Sequence, residues 1–451
     1  MSGSQSGSLI FLNLPPKTFI GLDLITFNSS AQFQGIHNIR HGLHLLYSGT
    51  DASLSIRQGR WVNLTPDDPR RILQWNADSE SLDLLDDEAE SAQNVISSAR
   101  DPSRGLLDYE ALQAATSDLA AKQSTNNGNT SLRSTKHRDG AEEGDDAEVE
   151  EDQGNDNGNS DPDDQADPST WQDLTSHISP TLLTRILQSE WTTTSVASAP
   201  SDTETIPGLS HLEANDALHQ HPLHLTVIDL KQTWAADDVG RVRTDRARDR
   251  SWYLSTLVDA VSLELVDTET PSATAREKTQ NERKTVGARG LLGELQFCFL
   301  MVLTLANYSC LEQWKRILVV FFTCHEALRD VEPYFVQMVR VMGEQMRRVE
   351  DVEGGLFELR DEVSSAWLRR YWARFRAAVD VHAADGGVED LKREVERLQS
   401  FFEDRYGWAS ERDRLRRGML ELEDGEMVEV SLAGVDEDEE TGEYAPVVVE
   451  M

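Results

Sequence analysis

The most apolar stretch of the chain, residues 293–324, predicts two packed helices. Residues 295–311 carry no formal charge, so they form either a membrane span or a helix that protein buries on all sides. A span needs roughly 18 or more apolar residues. This run is shorter and contains polar residues, so we expect burial in protein. From Glu312 onward apolar residues recur at helical spacing, which predicts a turn at 306–308 and a second, half-exposed helix.

Short apolar segments near the N-terminus predict an antiparallel β-rich domain. They are Leu9–Leu14, Thr18–Phe27, Gln34–Tyr47, Leu54–Val62 and Arg71–Asn76. Strands of this length between Gly, Pro and Asp residues are typical of such sheets. Leu223–Leu230 has the sequence of a further strand, which we assign to the same domain. Ser81–Ser98 and Asp108–Ala121 instead predict exposed, acidic helices.

Two polar stretches interrupt this domain. Residues 122–168 are rich in Ser, Asn, Gly and acidic residues and cannot bury enough apolar surface to fold, which predicts a disordered insertion. Residues 192–221 have the composition of a linker. Between the two, Thr170–Gln188 predicts two helices with Pro180 at the turn. The N-terminal domain is therefore predicted to span residues 9–236.

Helical periodicity dominates the C-terminal half and predicts an all-α multi-helix domain over residues 245–420. Apolar residues three and four apart define about six helices with short connections. Residues 421–451 follow as an acidic tail. The predicted fold class is α+β, with an antiparallel β-rich N-terminal domain followed by the helical domain.

The net charge of −37 is concentrated in two stretches. Residues 139–167 contain 14 acidic side chains and residues 421–451 contain 12, and neither stretch has a Lys or Arg. Phosphate groups and anionic lipids are bound by clustered Lys and Arg. We therefore expect no direct nucleic-acid contact and no membrane association.

The chain offers little catalytic chemistry. It has no Gly-rich phosphate loop, no nucleophile elbow and no CxxC pair. Cys298, Cys310 and Cys324 lie in apolar helical sequence, which predicts buried free thiols. The polar N-terminus lacks the features of a signal peptide, as expected for a soluble protein of a reducing compartment. We expect no enzyme activity, no metal, no cofactor and a monomer when the protein is alone.

Two motifs resemble those of a known protein family. The first consists of Asn13, Pro15, Thr18, Gly21, Asp23, Phe33, Gly35, Gly42, His44 and Leu46. The second consists of Glu294, Leu295, Gln296, Phe297, Glu312, Trp314 and Lys315. Both resemble the A-one cistron splicing factor (Aar-two) family, although His41 stands where a proline is usual.

The resemblance implies a non-catalytic assembly factor of the U5 snRNP that supports pre-mRNA splicing. Such proteins bind the C-terminal region of the large core protein of the U5 snRNP, hold an immature particle and block premature helicase binding. A cytoplasmic and nuclear location is expected with this role. The alternative is an acidic histone-type chaperone that shields basic proteins through its charge runs. A hydrolase on the β domain would need a motif that the chain lacks.

The end of the chain predicts a partner-binding strand. The residues are Tyr444, Pro446, Val447, Val448 and Val449, which follow an acidic run. β-branched residues favour an extended backbone, and Pro446 excludes a central strand of the chain's own sheet. One hypothesis is that the segment adds a strand to the edge of a partner's sheet. The alternative is that it docks on this protein's own β domain, or frays.

Ser251 is a candidate regulatory residue. It follows Arg248-Asp249-Arg250, a context that basophilic kinases accept, and it begins a predicted helix. A phosphate there would add nearly two negative charges to any interface nearby. The resembled family is linked to phosphorylation-controlled release, so a regulatory role is our hypothesis. The alternative is a serine that caps the N-terminus of its helix.

Overall fold

The computed structural model confirms the α+β fold class. It describes residues 6–50, 57–85, 105–115, 170–188, 191–192, 194–197, 223–268, 280–352, 359, 365–408, 417–421 and 427–431. Strands dominate up to residue 108, and helices dominate from residue 171. The predicted insertion at 122–168 and residues 432–451 of the tail lie outside the described residues.

The strands of the N-terminal part form two sheets. They are β1 (Ser6–Leu12), β2 (Phe19–Leu22), β3 (Ile25–Asn28), β4 (Gly35–Arg40), β5 (Gly42–Gly49), β6 (Gln58–Leu64), β7 (Arg70–Asn76), β8 (Ser81–Leu85), β9 (Leu106–Asp108) and β10 (Ser195–Ala197). The first sheet has the order β8-β7-β1-β4-β9 and the second has the order β10-β6-β5-β2-β3. Far along the chain, β11 (Arg417–Glu421) and β12 (Met427–Ser431) form an antiparallel hairpin.

Most neighbouring strands run antiparallel, as predicted, but two pairs in the first sheet are parallel. β1 is parallel to β7, and β4 is parallel to β9. Parallel partners need a long connection between them, and here each connection runs through other strands of the two sheets. The alternation of apolar and polar residues is the same for both kinds of pair, so it could not have distinguished them.

The two sheets enclose one apolar core. Along β1, Leu9 and Phe11 are buried at alternate positions. They belong to a cluster with Ile20 of β2 and Leu46 of β5. One face of each sheet is thereby covered, which leaves the other face of the second sheet to pack against helices.

The helix predicted over Ser81–Ser98 is wrong at its start. Ser81–Leu85 is strand β8, paired antiparallel with β7. Leu82 is buried, and β7 offers the main-chain hydrogen bonds that decide between helix and strand for so short a segment. Residues 109–115 are helical, in agreement with the helix predicted over Asp108–Ala121.

The strand predicted at Leu223–Leu230 is also wrong, because the segment pairs with no strand of the described sheets. Thr226 and Ile228 are nonetheless buried at alternate positions, as in a strand. The main chain bonds to helical residues instead: the N–H of Thr226 donates to the carboxylate of Glu294 at 2.9 Å. The segment is therefore extended, but residues of helices, and not a neighbouring strand, supply its hydrogen-bond partners.

The helices follow in close succession. They are α1 (Trp171–Thr175), α2 (Pro180–Leu187), α3 (Gly240–Arg248), α4 (Ser251–Thr268), α5 (Gln280–Leu305), α6 (Tyr308–Phe322), α7 (Ala327–Asp330), α8 (Glu332–Met346), α9 (Ala366–Ala384) and α10 (Glu389–Tyr406). A 3-10 turn covers Val349–Asp351. Ser179 caps α2 and Pro180 occupies its first turn, which confirms the turn predicted between two helices there.

The turn predicted at 306–308 is confirmed. Ala306 adopts a left-handed φ of 53°, and the side chain of Asn307 accepts the N–H of Cys310 at 2.9 Å to begin α6. α6 is more buried than predicted, since only 9 % of Glu312 is exposed. Lys315 pairs with Glu312 and lies 6.0 Å from the ring centre of Trp367 on α9. Packing by α9 thus covers a face of α6 whose charged residues predicted exposure to solvent.

Helix α5 is the centre of the molecule. Its segment Asn281–Leu305 is long and apolar enough to cross a membrane, but 83 % of its apolar window is buried inside the protein. Trp61 of β6 stacks on Phe297 of α5 with ring centres 6.1 Å apart, and it also lies 5.9 Å from Trp171 of α1. The second sheet and the helices therefore share one core built around α5.

The three cysteines are free and fully buried, as predicted. Burial raises the pKa of the Cys298 and Cys324 thiols well above the usual range. The thiolate is the reactive form, so both side chains act here as small apolar residues.

Candidate functional site

The candidate regulatory residue Ser251 lies in a turn that joins two parts of the helical region. This turn, between α3 and α4, packs on the turn between α6 and α7. The N–H of Arg250 donates to the carbonyl oxygen of Thr323 at 3.0 Å, and its guanidinium donates to the Thr323 hydroxyl at 3.0 Å. We call Asp249, Arg250 and Ser251, with the residues they bind, the α4 entry turn.

The carboxylate of Asp249 organises the α4 entry turn. One of its oxygens accepts the N–H of Ser251 at 2.8 Å. The other accepts the N–H groups of His325 and Glu326, each at 3.0 Å. Three main-chain donors therefore converge on one negative charge, an arrangement that binds anions in proteins generally.

Ser251 itself is half-buried and bonded to a neighbouring turn. Its hydroxyl oxygen accepts the N–H of Ala327, the first residue of α7, at 2.9 Å. The hydroxyl thus caps α7 and not its own helix α4, which corrects the alternative reading of Ser251 as a cap for α4. A phosphate on this oxygen would add negative charge close to the Asp249 carboxylate.

A buried polar network surrounds Glu294 of α5, a residue of the second family motif. Its carboxylate accepts the guanidinium of Arg185 at 2.7 Å, the N–H of Thr226 at 2.9 Å and the amide of Gln313 at 2.8 Å. Glu294 is 0 % exposed, and the side chain of Arg185 is 4 % exposed. Burial alone would lower the pKa of Arg185, but Glu294 and Glu264 outweigh it and raise that pKa. The network fastens α2, the Leu223–Leu230 segment and α6 to α5.

Two further motif residues have similar structural roles. The amide of Gln296 donates to the carbonyl of Asp173 at 3.0 Å and accepts the N–H of His177 at 2.8 Å, so it fixes the turn between α1 and α2. The indole N–H of Trp314 donates to Gln345 at 2.9 Å inside the core. These side chains bind their own protein, which leaves the partner surface to other residues.

The first family motif also builds a buried cluster. Asp23, in the left-handed region with φ of 57°, accepts His44 Nδ1 at 2.7 Å and the hydroxyl of Tyr109 at 2.5 Å. His44 Nε2 donates to the carbonyl of Arg40 at 2.7 Å. A Cβ on Gly21 would lie 2.0 Å from the Tyr47 ring, so only glycine fits beside this cluster.

Within the described residues, the cluster is closed to solvent and serves as a structural support. Asp23 is 1 % exposed and His44 is 3 % exposed. Both ring nitrogens of His44 face acceptors, so the protonated ring satisfies both. Burial alone would lower the pKa of His44, but the charge and hydrogen bond of Asp23 outweigh it and hold that pKa above its usual value. Burial and Asp23 likewise raise the pKa of Tyr109.

This geometry predicts that the protein loses stability as the pH rises above neutral. A group whose pKa is raised on folding stabilises the protein fully below its unfolded pKa of 6.5 and loses that contribution as the pH passes through the folded value. We expect the free energy of unfolding, measured with denaturant, to decline from pH 6 to pH 9. The variant His44→Gln should be less stable at pH 6 and should lack this part of the decline. Parallel pH profiles for the two proteins would contradict the assignment.

The predicted partner-binding residues Tyr444, Pro446, Val447, Val448 and Val449 lie outside the described residues. A surface that the sequence reasoning missed is the outer side of Leu223–Leu230. Val227 there is 87 % exposed, although the segment is held on both sides by hydrogen bonds. The alternation of residues in this segment is the signal in the sequence, and by itself it predicts a strand within a sheet.

Comparison with known families agrees with the motifs. Residues 5–188 match the AAR2 N-terminal domain, and residues 225–411 match the AAR2 C-terminal repeat region. A comparison with curated proteins gave no match. Both motifs fall inside the matched ranges, one in each, and their side chains build the two buried networks described above. The chain therefore belongs to the AAR2 family, whose members act in splicing as U5 snRNP assembly factors.

Proposed function

We propose that this protein is a non-catalytic assembly factor that binds the large core protein of the U5 snRNP and holds off premature partner binding during particle biogenesis. The observation that carries the proposal is the match of both parts of the chain to the two AAR2 family models. The AAR2 family is one of assembly factors and not of enzymes.

The proposal includes the setting in which the protein works. It acts in the cytoplasm and the nucleus, as a monomer before it meets its partner, and without a cofactor. It contacts protein and neither nucleic acid nor membrane. Its acidic charge fits these expectations, because nucleic acid and anionic lipid would both be repelled.

Affinity purification from cell extract tests the proposal directly. The tagged full-length protein should co-purify the large core protein of the U5 snRNP, and the helicase should be absent from the same particles. Recovery of histones or other basic proteins in place of U5 proteins would contradict it.

The alternative, an acidic chaperone for basic proteins, differs in mechanism. Such binding depends on the acidic runs and falls steeply with salt, because exposed charges are screened over about 8–10 Å at physiological ionic strength. Binding to the U5 core protein should instead survive deletion of residues 122–168 and moderate salt. A titration at 50 and 300 mM salt with both forms of the protein separates the two functions.

We also propose that Tyr444–Val449 adds a strand to the partner's sheet. Main-chain hydrogen bonds supply most of the affinity in such complexes, and alternate side chains supply specificity. Proline at Val448 should weaken partner binding, Val448→Ala should do much less, and truncation after Gly442 should weaken it most. Equal affinities for the three variants, measured by titration with the purified core-protein fragment, would exclude strand addition.

For the α4 entry turn, we predict that Ser251→Glu weakens partner binding at least fivefold. The added charge stands next to Asp249, so it should push apart the two turns that Asp249 and Ser251 hold together. Thr256→Glu, on the exposed side of the same helix, is the matched control and should bind as the wild type does. If Ser251→Glu also binds as the wild type does, the regulatory role is wrong.

A further inference from the structure

Helix α3 is an ordered helix that buries none of its residues. It spans Gly240–Arg248, and each of its residues is half-buried or exposed. A helix this short is marginal in water unless one of its faces packs on the rest of the protein. Contacts other than a buried apolar face must therefore hold α3 in place.

Two arginine side chains tether α3 to indole rings. The guanidinium of Arg243 lies 4.5 Å from the ring centre of Trp234, and that of Arg246 lies 4.2 Å from the ring centre of Trp252. Arg246 also donates to the carboxylate of Asp238 at 2.5 Å. Residues three apart share one face of a helix, so these contacts fix one side of α3 and leave the other side to solvent.

The solvent side of α3 is both basic and apolar. Arg241 and Arg248 lie two turns apart on this side, which separates them by about 10 Å along the helix axis. The side chain of Arg241 is 93 % exposed, and Arg248 is exposed and pairs with no carboxylate within the described residues. Val242 at the edge of this side and Val239 just before the helix are 50 % and 78 % exposed. We call these four residues the α3 face.

The charges of the α3 face do little to stabilise the helix itself. Arg241 lies in the first turn, where the positive end of the helix dipole disfavours a cation. Its pair with Asp245 is exposed, with 3.6 Å between the two charged atoms, and it places the cation before the carboxylate, which is the weaker order. Such a pair can be exchanged for a carboxylate of another molecule. A local arrangement that costs stability is expected where a surface has a further role.

The composition of α3 contrasts with that of the whole chain. Residues 239–248 contain four arginines, no lysine and one acidic residue, in a chain with a net charge of −37. Arginine binds a carboxylate through two parallel N–H···O bonds, which lysine cannot do. A carboxylate of a partner is therefore attracted to α3 and repelled by acidic surface elsewhere, so charge complementarity selects where it docks.

We propose that the α3 face docks an acidic, partly apolar segment of a protein partner. Carboxylates about 10 Å apart would pair with Arg241 and Arg248, and an apolar side chain would lie on Val242. A nucleic acid fits this face less well, because the valines offer nothing to phosphates and the net charge repels them. That the segment belongs to the U5 core protein rests on the proposed function, whereas the site itself does not.

A peptide titration tests the site without the natural partner. The probe is a twelve-residue peptide with the repeat Glu-Leu-Pro, whose carboxylates recur about 9 Å apart along one side of a polyproline II helix. A peptide with the repeat Gln-Leu-Pro is its neutral control. The full-length protein carries ¹³C in its valine methyl groups, and the variants Val239→Ile and Val242→Ile assign these two signals by NMR. The acidic peptide should shift both signals, and the neutral peptide should shift neither.

Charge reversal on the α3 face is the decisive comparison. Arg241→Glu/Arg248→Glu should weaken binding of the acidic peptide at least tenfold, and it should fold normally because α3 buries no residue. Arg393→Glu/Arg397→Glu on α10 is the matched control, since both side chains are exposed, at 76 % and 63 %, and the change in charge is the same. The control should change the affinity less than twofold.

Three results would overturn the proposal. Unmoved valine signals would mean that the peptide does not bind the α3 face. Equal losses in the two charge-reversed variants would mean that net charge alone attracts the peptide. Tighter binding of a uridine decamer than of the acidic peptide, with the same signals shifted, would assign the face to nucleic acid.

The purified core-protein fragment separates this inference from the proposed function. If the fragment binds the wild type, Arg241→Glu/Arg248→Glu should weaken that binding at least fivefold and reduce its dependence on salt. An unchanged affinity would overturn the assignment of the docked segment to the U5 core protein. If the fragment does not bind the wild type, the proposed function fails, and the peptide titration still decides the role of the α3 face.

Discussion

Replacing Glu294 with alanine is expected to lower the free energy of unfolding by about 3–5 kcal/mol, the cost of leaving a buried charge without its buried partner. The guanidinium of Arg185 would remain buried at the side of α2 that faces α5. The N–H of Thr226 and the amide of Gln313 would lose an acceptor at the same time. Denaturant unfolding of the wild type and the variant measures the difference.

Glu264 provides a matched control for this prediction. Its carboxylate also binds Arg185, at 2.5 Å, but its side chain is 57 % exposed. Exposed partners of an ion pair contribute about 0–1 kcal/mol, so Glu264→Ala should have a small effect. The double variant Arg185→Met/Glu294→Met should recover much of the loss, because it removes both buried charges together. A loss below about 1 kcal/mol for Glu294→Ala would mean that Glu264 and water satisfy Arg185 without Glu294.

Trp314→Ala is expected to cost about 3–5 kcal/mol, as is usual when a buried aromatic ring is removed. The ring is 0 % exposed and lies 6.4 Å from Phe299 and 6.0 Å from Trp367 between ring centres. Its N–H donates to Gln345, which in turn donates to the carbonyl of Leu295 at 3.2 Å. The variant therefore opens a cavity and leaves a buried amide without one of its partners.

Two substitutions separate these contributions. Trp314→Phe keeps most of the ring volume but removes the N–H. Its cost should be roughly 1–3 kcal/mol, which is the cost of leaving a buried polar group unsatisfied. Trp367→Ala removes a ring that is only half-buried and should cost less than Trp314→Ala. If Trp314→Ala changes stability by less than about 1 kcal/mol, the residue does not anchor the core and a binding role would have to be considered.

Local pattern predicted the central features of the fold. The uncharged run before Glu312, and the break at Ala306, predicted α5, its buried position and the turn into α6. Apolar alternation between turn residues predicted the N-terminal strands, and apolar helical sequence around the cysteines predicted their burial. The motifs led to the family, which the matches to residues 5–188 and 225–411 confirmed.

Local pattern could not predict the partners of each element. Ser81–Leu85 became a strand because β7 offered it main-chain hydrogen bonds. Leu223–Leu230 remained without a sheet because Glu294 and Ile186 supplied bonds to its inner edge. α6 became buried because α9 packed over its charged face.

The candidate sites divide in the same way. The sequence alone identified Ser251 and the terminal valines, because a kinase context and a β-branched chain end are local features. Only the tertiary structure placed Ser251 against α7 and beside Asp249. The physical reason is that periodicity follows from neighbouring residues, whereas hydrogen-bond and ion partners come from residues 70 to more than 100 positions away, such as Arg185 and Glu294.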